Sequence, residues 1–388
     1  MTDNTDISLP TKQEQPAQVR VRYGSLVFWH HLLVVLLVLL VGLYYGANLL
    51  IPLSVGALGF VLLTAIIDRI ALWRPGGRQV PRWLAQILGL TIVLLGIGGI
   101  VGVLASQAYD VIAAVPRYQA RFGQIIAQLV QFSGEDIAAR ISNELAGLNL
   151  AEPAGKLVGG AGSFLSGVFM VLLYIPFMMA ERKPMNKKIP LAARTPEAAA
   201  EFNQVLQSIS LGLQRYIGIK TSVSMVTGLS SYAIIKSVGL DFAETWGVLA
   251  FALNFIPTIG SMVAVAIPAI VALVQFEVLT PFLIILLGCG AVQFVVGNIL
   301  EPSFTGKSLN LSPLMVILSL TFWTTIWGIP GALLSVPITV CVLIIFSNLP
   351  YTRPWAILMS GDGKLAAAAV AKVPEAPASR NKSKKKVG

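Results

Sequence analysis

Charge is what this sequence has least of. Asp, Glu, Lys and Arg make up 12% of its 388 residues, about half the ~25% that keeps an ordinary soluble domain in water. The few charges cluster, and between them lie apolar runs of about 20 residues, the length that spans a ~30 Å hydrocarbon core. With 55% hydrophobic residues and a mean hydropathy of +0.77, a soluble globular chain is excluded. The runs are continuous rather than alternating, which excludes a lipid-facing barrel and leaves helices that satisfy their own backbone groups. Cysteine is nearly absent. Cys289 and Cys341 sit in apolar segments without CxxC or metal spacing, so they read as small hydrophobes and a disulfide framework is excluded. There is no HExxH, P-loop, GxSxG or carboxylate pair within a span, so neither an enzyme, a metal site nor a cofactor is expected. An ATP-driven pump would need a nucleotide domain that the sequence does not show.

What is present is an all-α polytopic membrane pattern. Residues 1–24 are polar and expected to be disordered and cytoplasmic. The first apolar run is too long for the core of a cleavable signal. A membrane domain is expected over 25–350, with about six regular spans: 25–46, 49–67, 83–104, 157–179, 217–235 and 279–300. The first two are separated only by Ala47 and Asn48, which predicts a tight turn. Between the third and fourth lies a polar interval, 107–155, in which Val111, Val115, Tyr118, Phe122, Ile125 and Leu129 recur at helical spacing. Ser133 and Asp136 resemble a capping box for a second helix carrying Ile137, Ile141 and Leu145. The interval therefore predicts an extracytoplasmic helical hairpin. A cytoplasmic helix is expected over 181–210, and within it Thr195-Pro196-Glu197 is an N-cap, first-turn proline and first-turn acid for a helix that runs into the fifth span.

The formal charge of +10 is not a nucleic-acid signature, because the basic residues flank the apolar runs. The N-terminal segment, the 68–82 loop, the 181–194 segment and the tail are basic, and 107–155 is not. That distribution puts both termini on the cytoplasmic side. Residues 351–388, ending in Lys382, Lys384, Lys385 and Lys386, are expected to be a disordered basic tail that anchors topology or touches lipid headgroups.

Two apolar segments do not fit as simple spans. Trp246 to Val274 as one helix would be ~44 Å long, too long for one upright span and too short for two. Asn254-Phe255-Ile256-Pro257-Thr258-Ile259-Gly260 sits in its middle. Leu311 to Phe346 repeats the format around Trp327-Gly328-Ile329-Pro330-Gly331. Proline cannot donate to the helix ladder and glycine permits a reversal. Unwound backbone at membrane depth is stable only when buried in protein or lining a watery cavity, and paired broken helices form the substrate sites of secondary transporters. The segments either both cross or both re-enter on the side they started from. Lys307 favours re-entry, which places 301–310 in the cytoplasm.

These residues resemble the autoinducer-2 exporter (AI-2E) family, the PerM-like permeases. The likeness rests on Tyr216 and Lys220, Asn254-Phe255-Ile256-Pro257 with Gly260 and Pro268, then Asn298, Glu301-Pro302, Gly306-Lys307-Ser308-Leu309-Asn310-Leu311-Ser312-Pro313, Trp327-Gly328, Gly331 and Pro337. It covers about 25–350. Phe322-Trp323-Thr324-Thr325 stands where many members have a glycine-rich approach, which marks a subgroup. The resemblance implies export of a small hydrophilic or signalling metabolite across a bacterial inner membrane by a homo-oligomer, with pentamers as one expected form. Some relatives are linked to sodium/proton antiport, the first alternative. A membrane scaffold that binds a partner through the external hairpin or tail is the second.

The pathway candidates are Asn254, Pro257, Gly260, Gln293, Asn298, Glu301, Tyr216, Lys220, Trp327, Gly328, Pro330 and Gly331. Gln293, Gly297, Asn298 and Glu301 fall within about 140° of one helix face, and a carboxylate at a span end must be paired or wet. Lys220 either snorkels to the interface or pairs with Glu301 or an anionic substrate. Thr221, Ser224, Gly228 and Ser231 form a small-residue stripe that suits close helix packing or a permeation path. The Asn254 amide serves either the freed backbone or the substrate.

Overall fold

The computed structural model describes residues 17–74, 79–133, 151–305 and 310–364. Every described element is a helix: α1 (Ala17–Tyr45), α2 (Ala47–Leu72), α3 (Arg82–Ser133), α4 (Ala151–Ala192), α5 (Pro196–Ser237), α6 (Ala243–Leu253), α7 (Ile259–Gln275), α8 (Thr280–Val295), α9 (Glu301–Thr305), α10 (Pro313–Asn348) and α11 (Arg353–Met359). A π-helical turn, Val296–Leu300, joins α8 to α9. The six expected spans fall on α1, α2, α3, α4, α5 and α8.

The chain divides into two compact units, residues 1–50 and 51–388. In the first, α1 exposes Leu33, Val35, Leu37 and Leu39, each by more than half. The turn expected at Ala47 and Asn48 falls inside α2. Gly46 alone separates the helices, with its N–H on Gly42 O (2.9 Å) and its carbonyl accepting from Leu50 (2.9 Å).

In the second unit, α2, α3 and α4 pack through Leu63, Ile67, Ala85, Val93 and Ile175. The third span and the amphipathic helix after it are one 52-residue helix, α3, about 78 Å long. The junction stays helical because 105–115 holds no glycine or proline, and Pro116 is carried inside the helix. The second helix expected around Ile137 to Leu145 lies outside the described residues, as do 1–16, the Lys307 turn and 365–388. Thr195 caps α5 as its sequence predicts, accepting from Ala198 N–H at 3.2 Å, so the helix expected over 181–210 is divided between the end of α4 and the start of α5. The first residues of the segment expected to be a disordered tail are folded. Arg353–Met359 is helical, with Ala356 and Met359 packed on Leu343, and the Gly361 N–H reaches Asn310 O at 2.9 Å.

Both broken segments fold back on themselves. Asp241 N–H donates to Gln275 Oε1 at 2.9 Å, so the start of α6 meets the end of α7. At the other end a Cβ on Gly260 would lie 1.8 Å from the Leu253 carbonyl oxygen. In α10 the reversal is at Gly328, φ 62° and ψ −139°, a region closed to residues with a Cβ. Ser319 Oγ donates to Ser335 O at 2.9 Å, and these residues would be ~24 Å apart in a straight helix. A Cβ on Gly331 would lie 1.9 Å from Trp323 O. Residues 243–275 and 313–348 are thus antiparallel helical hairpins.

Among the described residues, four helices are long and apolar enough to cross a bilayer: 47–72, 82–125, 280–304 and 313–348, the last being the folded α10. Only 11% of the most apolar window is buried in the second and 50% in the fourth. Apolar surface on that scale does not stay in water. Lipid is the solvent these faces are built for.

Candidate functional site

α5 is the spine of the site. Its packing against α6 is close because two glycines meet: a Cβ on Gly228 would lie 2.8 Å from Gly247 O, and one on Gly247 2.7 Å from Tyr232 Cβ. α8 runs antiparallel to α5, with Gly288 against Ile234 and Glu301 against Lys220. The hairpin of α6 and α7 has its open end beside the C-terminal end of α5. The α10 hairpin enters from the other end, where Val336 and Val340 pack on Leu213, Tyr216 and Ile217. The two turns come together through Ile256, Leu320 and Ala332, flanked by Leu253 and Leu333.

A polar seam lies beside that junction. Lys220 Nζ donates to Glu301 Oε1 at 2.7 Å, with side-chain exposures of 7% and 32%. The contact crosses from α5 to the residue that follows the π-turn. A π-turn adds a residue to one helical turn and so re-aims the side chains after it, a feature frequent at functional sites. One turn along α5 from Lys220, buried Ser224 accepts from Asn254 Nδ2 at 3.0 Å. Asn254 is the C-cap of α6, so the amide ties the first hairpin's turn to the spine. Tyr216, one turn before Lys220, is buried between α2 and α10. Gln293 lies eight residues before Glu301, about 12 Å along the helix. Its Nε2 is the one buried side-chain nitrogen or oxygen among the described residues without a hydrogen-bond partner, and such a donor calls for an explanation.

The remaining candidates shape the turns. Pro257 precedes Thr258, which holds φ 60°, and Gly260 is buried at the start of α7. Trp327 is buried and stacks on Trp323 with ring centroids 4.8 Å apart. Gly328, Pro330 and Gly331 make the second reversal. Asn298 is not drawn into the seam: it is exposed, and its Nδ2 donates to Phe294 O at 3.0 Å on its own helix. The π-turn changes the angular count that grouped it with Gln293 and Glu301.

Sequence reasoning missed a second polar cluster, at the open end of the first hairpin. Arg117 pairs with Asp241, and Tyr118 Oη donates to Asp241 Oδ2 at 3.1 Å. Arg121 reaches Glu277 at 3.3 Å. Gln107 Nε2 donates to Glu244 Oε2 at 3.0 Å, and Lys236 Nζ reaches Glu244 Oε1 at 2.9 Å. The arm of α3 thus grips the base of the hairpin. The only signal in the sequence was that 107–121 carries polar groups between its apolar positions.

Two broken hairpins meeting beside a polar seam, in a chain of long apolar helices, define a polytopic membrane protein with discontinuous helical segments. The chain belongs to the AI-2E family transporters, whose family model matches residues 33–350. It is similar to the AI-2 transport protein TqsA of Escherichia coli K12, with 32% identity over 337 residues, 85% of this chain and 94% of the relative. A Haemophilus influenzae protein assigned only generally to transport is 31% identical over 337 residues, 84% of this chain and 94% of its own. YhhT of E. coli K12, likewise assigned only generally to transport, is 27% identical over 341 residues, 85% of this chain and 90% of its own.

Proposed function

We propose that the protein is a secondary carrier that exports a small polar or signalling metabolite across a bacterial inner membrane, with both termini in the cytoplasm. The observation that carries this reading is the meeting of the two hairpin turns at Ile256 and Ala332, beside Asn254, Ser224, Lys220 and Glu301. The turns of two discontinuous segments meet beside these polar side chains, and hairpins entering from opposite ends of α5 can expose that place to either side in turn. The name of the E. coli relative, an AI-2 transport protein, supports the signalling class. Lys and Arg placement supports the orientation, with the first hairpin entering from outside and the second from the cytoplasm. Homo-oligomeric assembly belongs to the same reading and is checked by native mass spectrometry of the purified protein.

Metabolite profiles of a deletion strain and an overexpressing strain test the function. A compound retained by the first and released by the second should be moved by purified protein in vesicles, and Asn254→Leu should cut that flux roughly tenfold or more. Purified protein that moves none of the compounds separating the two strains would overturn the reading.

A further inference from the structure

Among the described residues Lys220 is the only charged side chain in the buried set. Its partner is not equally buried. Glu301 keeps about a third of its side chain in contact with the exterior, and it sits at the start of a five-residue helix directly after a π-turn. The ion pair is therefore asymmetric: the carboxylate has open space to swing away from the contact, whereas the ammonium is held in place by the packing of α5. Opening the pair from the Glu301 side leaves a buried cation, which is costly unless another negative group replaces the carboxylate.

This asymmetry bears on what the site accepts. A cation replacing Lys220 on Glu301 would leave the buried ammonium unpaired. A neutral polyol would have to separate unlike charges without supplying either. Only an anion restores the balance at Lys220. The helix dipoles at the hairpin turns do not alter this, because each turn joins the C-terminal end of one half to the N-terminal end of the other, and their partial charges offset. Ser224 and Asn254, one turn away, offer hydrogen bonds to the rest of such a ligand.

We propose that Lys220 is an anion-binding group and that the carried molecule bears a carboxylate or similar negative group, which takes the place Glu301 holds on Lys220 in this structure. The inference rests on the carrier reading for the meaning of the site, though its test does not require flux.

The experiment is rescue of Glu301→Ala by added carboxylates, read as the thermal unfolding midpoint of the purified full-length protein in nanodiscs. The substitution should lower the midpoint by stranding Lys220. Sodium acetate or formate should restore it, whereas sodium chloride at equal ionic strength and glycerol should not. Lys220→Met combined with Glu301→Ala should remove the response, and Lys220→Arg combined with Glu301→Ala should keep it. Absence of rescue, or rescue indifferent to Lys220, overturns the proposal. Should the double variant not fold, the milder Glu301→Gln decides: with the competing carboxylate gone, its affinity for acetate should exceed wild type by at least about tenfold, and equal affinities overturn the proposal. Failed rescue in a protein whose flux still depends on Asn254 removes the anion site and leaves the carrier. Successful rescue in a protein that moves no metabolite keeps the anion site and removes the carrier.

Discussion

The Lys220–Glu301 contact shows why the two ends of one ion pair need not matter equally. Losing Glu301 strands a buried ammonium, and uncompensated buried charges cost about 3–5 kcal/mol. Losing Lys220 leaves a carboxylate that is 32% exposed and free to turn toward the end of its helix, so the cost should be nearer the ~1 kcal/mol or less of exposed pairs. Glu301→Gln should therefore lower stability clearly more than Lys220→Met, and denaturant midpoints of the two variants in lipid measure the difference. Equal losses would mean that the pair is symmetric. The sequence identified both residues and named their pairing as one of two roles for Lys220. What it did not show was the π-turn that re-aims Glu301, because nothing in Val296-Gly297-Asn298-Ile299-Leu300 distinguishes a π-turn from a continuing α-helix. The orphaned Gln293 amide was equally invisible, since burial of one nitrogen depends on side chains from several helices.

At the scale of elements, the hairpins were legible as interruptions but not as reversals. Proline and glycine announce where a helix stops, while the direction of the next residues is set by φ at Gly328 and by the space left beside Leu253 and Trp323. Those are tertiary facts: a Cβ would reach within 1.8 Å of Leu253 O at Gly260 and 1.9 Å of Trp323 O at Gly331. Gly260→Ala and Gly331→Ala should each destabilise by about 1–3 kcal/mol, the usual range for overpacking, read as a lowered thermal midpoint with loss of flux. The reversal itself has a direct check. Ser319 and Thr339 have their hydroxyls in contact, yet lie ~30 Å apart in a straight helix. Cysteines placed at both positions, with Cys289 and Cys341 replaced, should form a disulfide under mild oxidation within one chain. A pair of thiols that stays free would return 313–348 to a single kinked span. The α3 boundary failed in the sequence for the opposite reason: a change from apolar to mixed composition was read as a new element, but helix hydrogen bonds are indifferent to that change.

At the scale of the whole molecule, the first hairpin is held at both ends by different forces. Its first helix is tied to α5 by close glycine packing, and its turn by the Asn254–Ser224 hydrogen bond. Its base is tied to the α3 arm by exposed charges: Arg117 to Asp241, with side chains 63% and 34% exposed, and Arg121 to Glu277, 29% and 84% exposed. Exposed pairs contribute at most about 1 kcal/mol each, so the α3 contact is the weaker attachment and the natural place for a rearrangement. A carrier must pass through states in which its site faces each side, and rigid elements sliding past one another are a common means. On the carrier reading, the hairpin, α5 and α8 should move together and the α3 grip should release. Cysteines at Arg117 and Asp241, bridged by a short bis-methanethiosulfonate that covers the reach of the arginine side chain, should then stop flux in vesicles, and a reductant should restore it. Arg117→Asp paired with Asp241→Arg should keep near-normal flux, because the swapped charges can re-form the grip. Unchanged flux with the cross-link closed would instead make α3 and the hairpin one moving body, and the sliding surface would then have to lie among α2, α5 and the second hairpin.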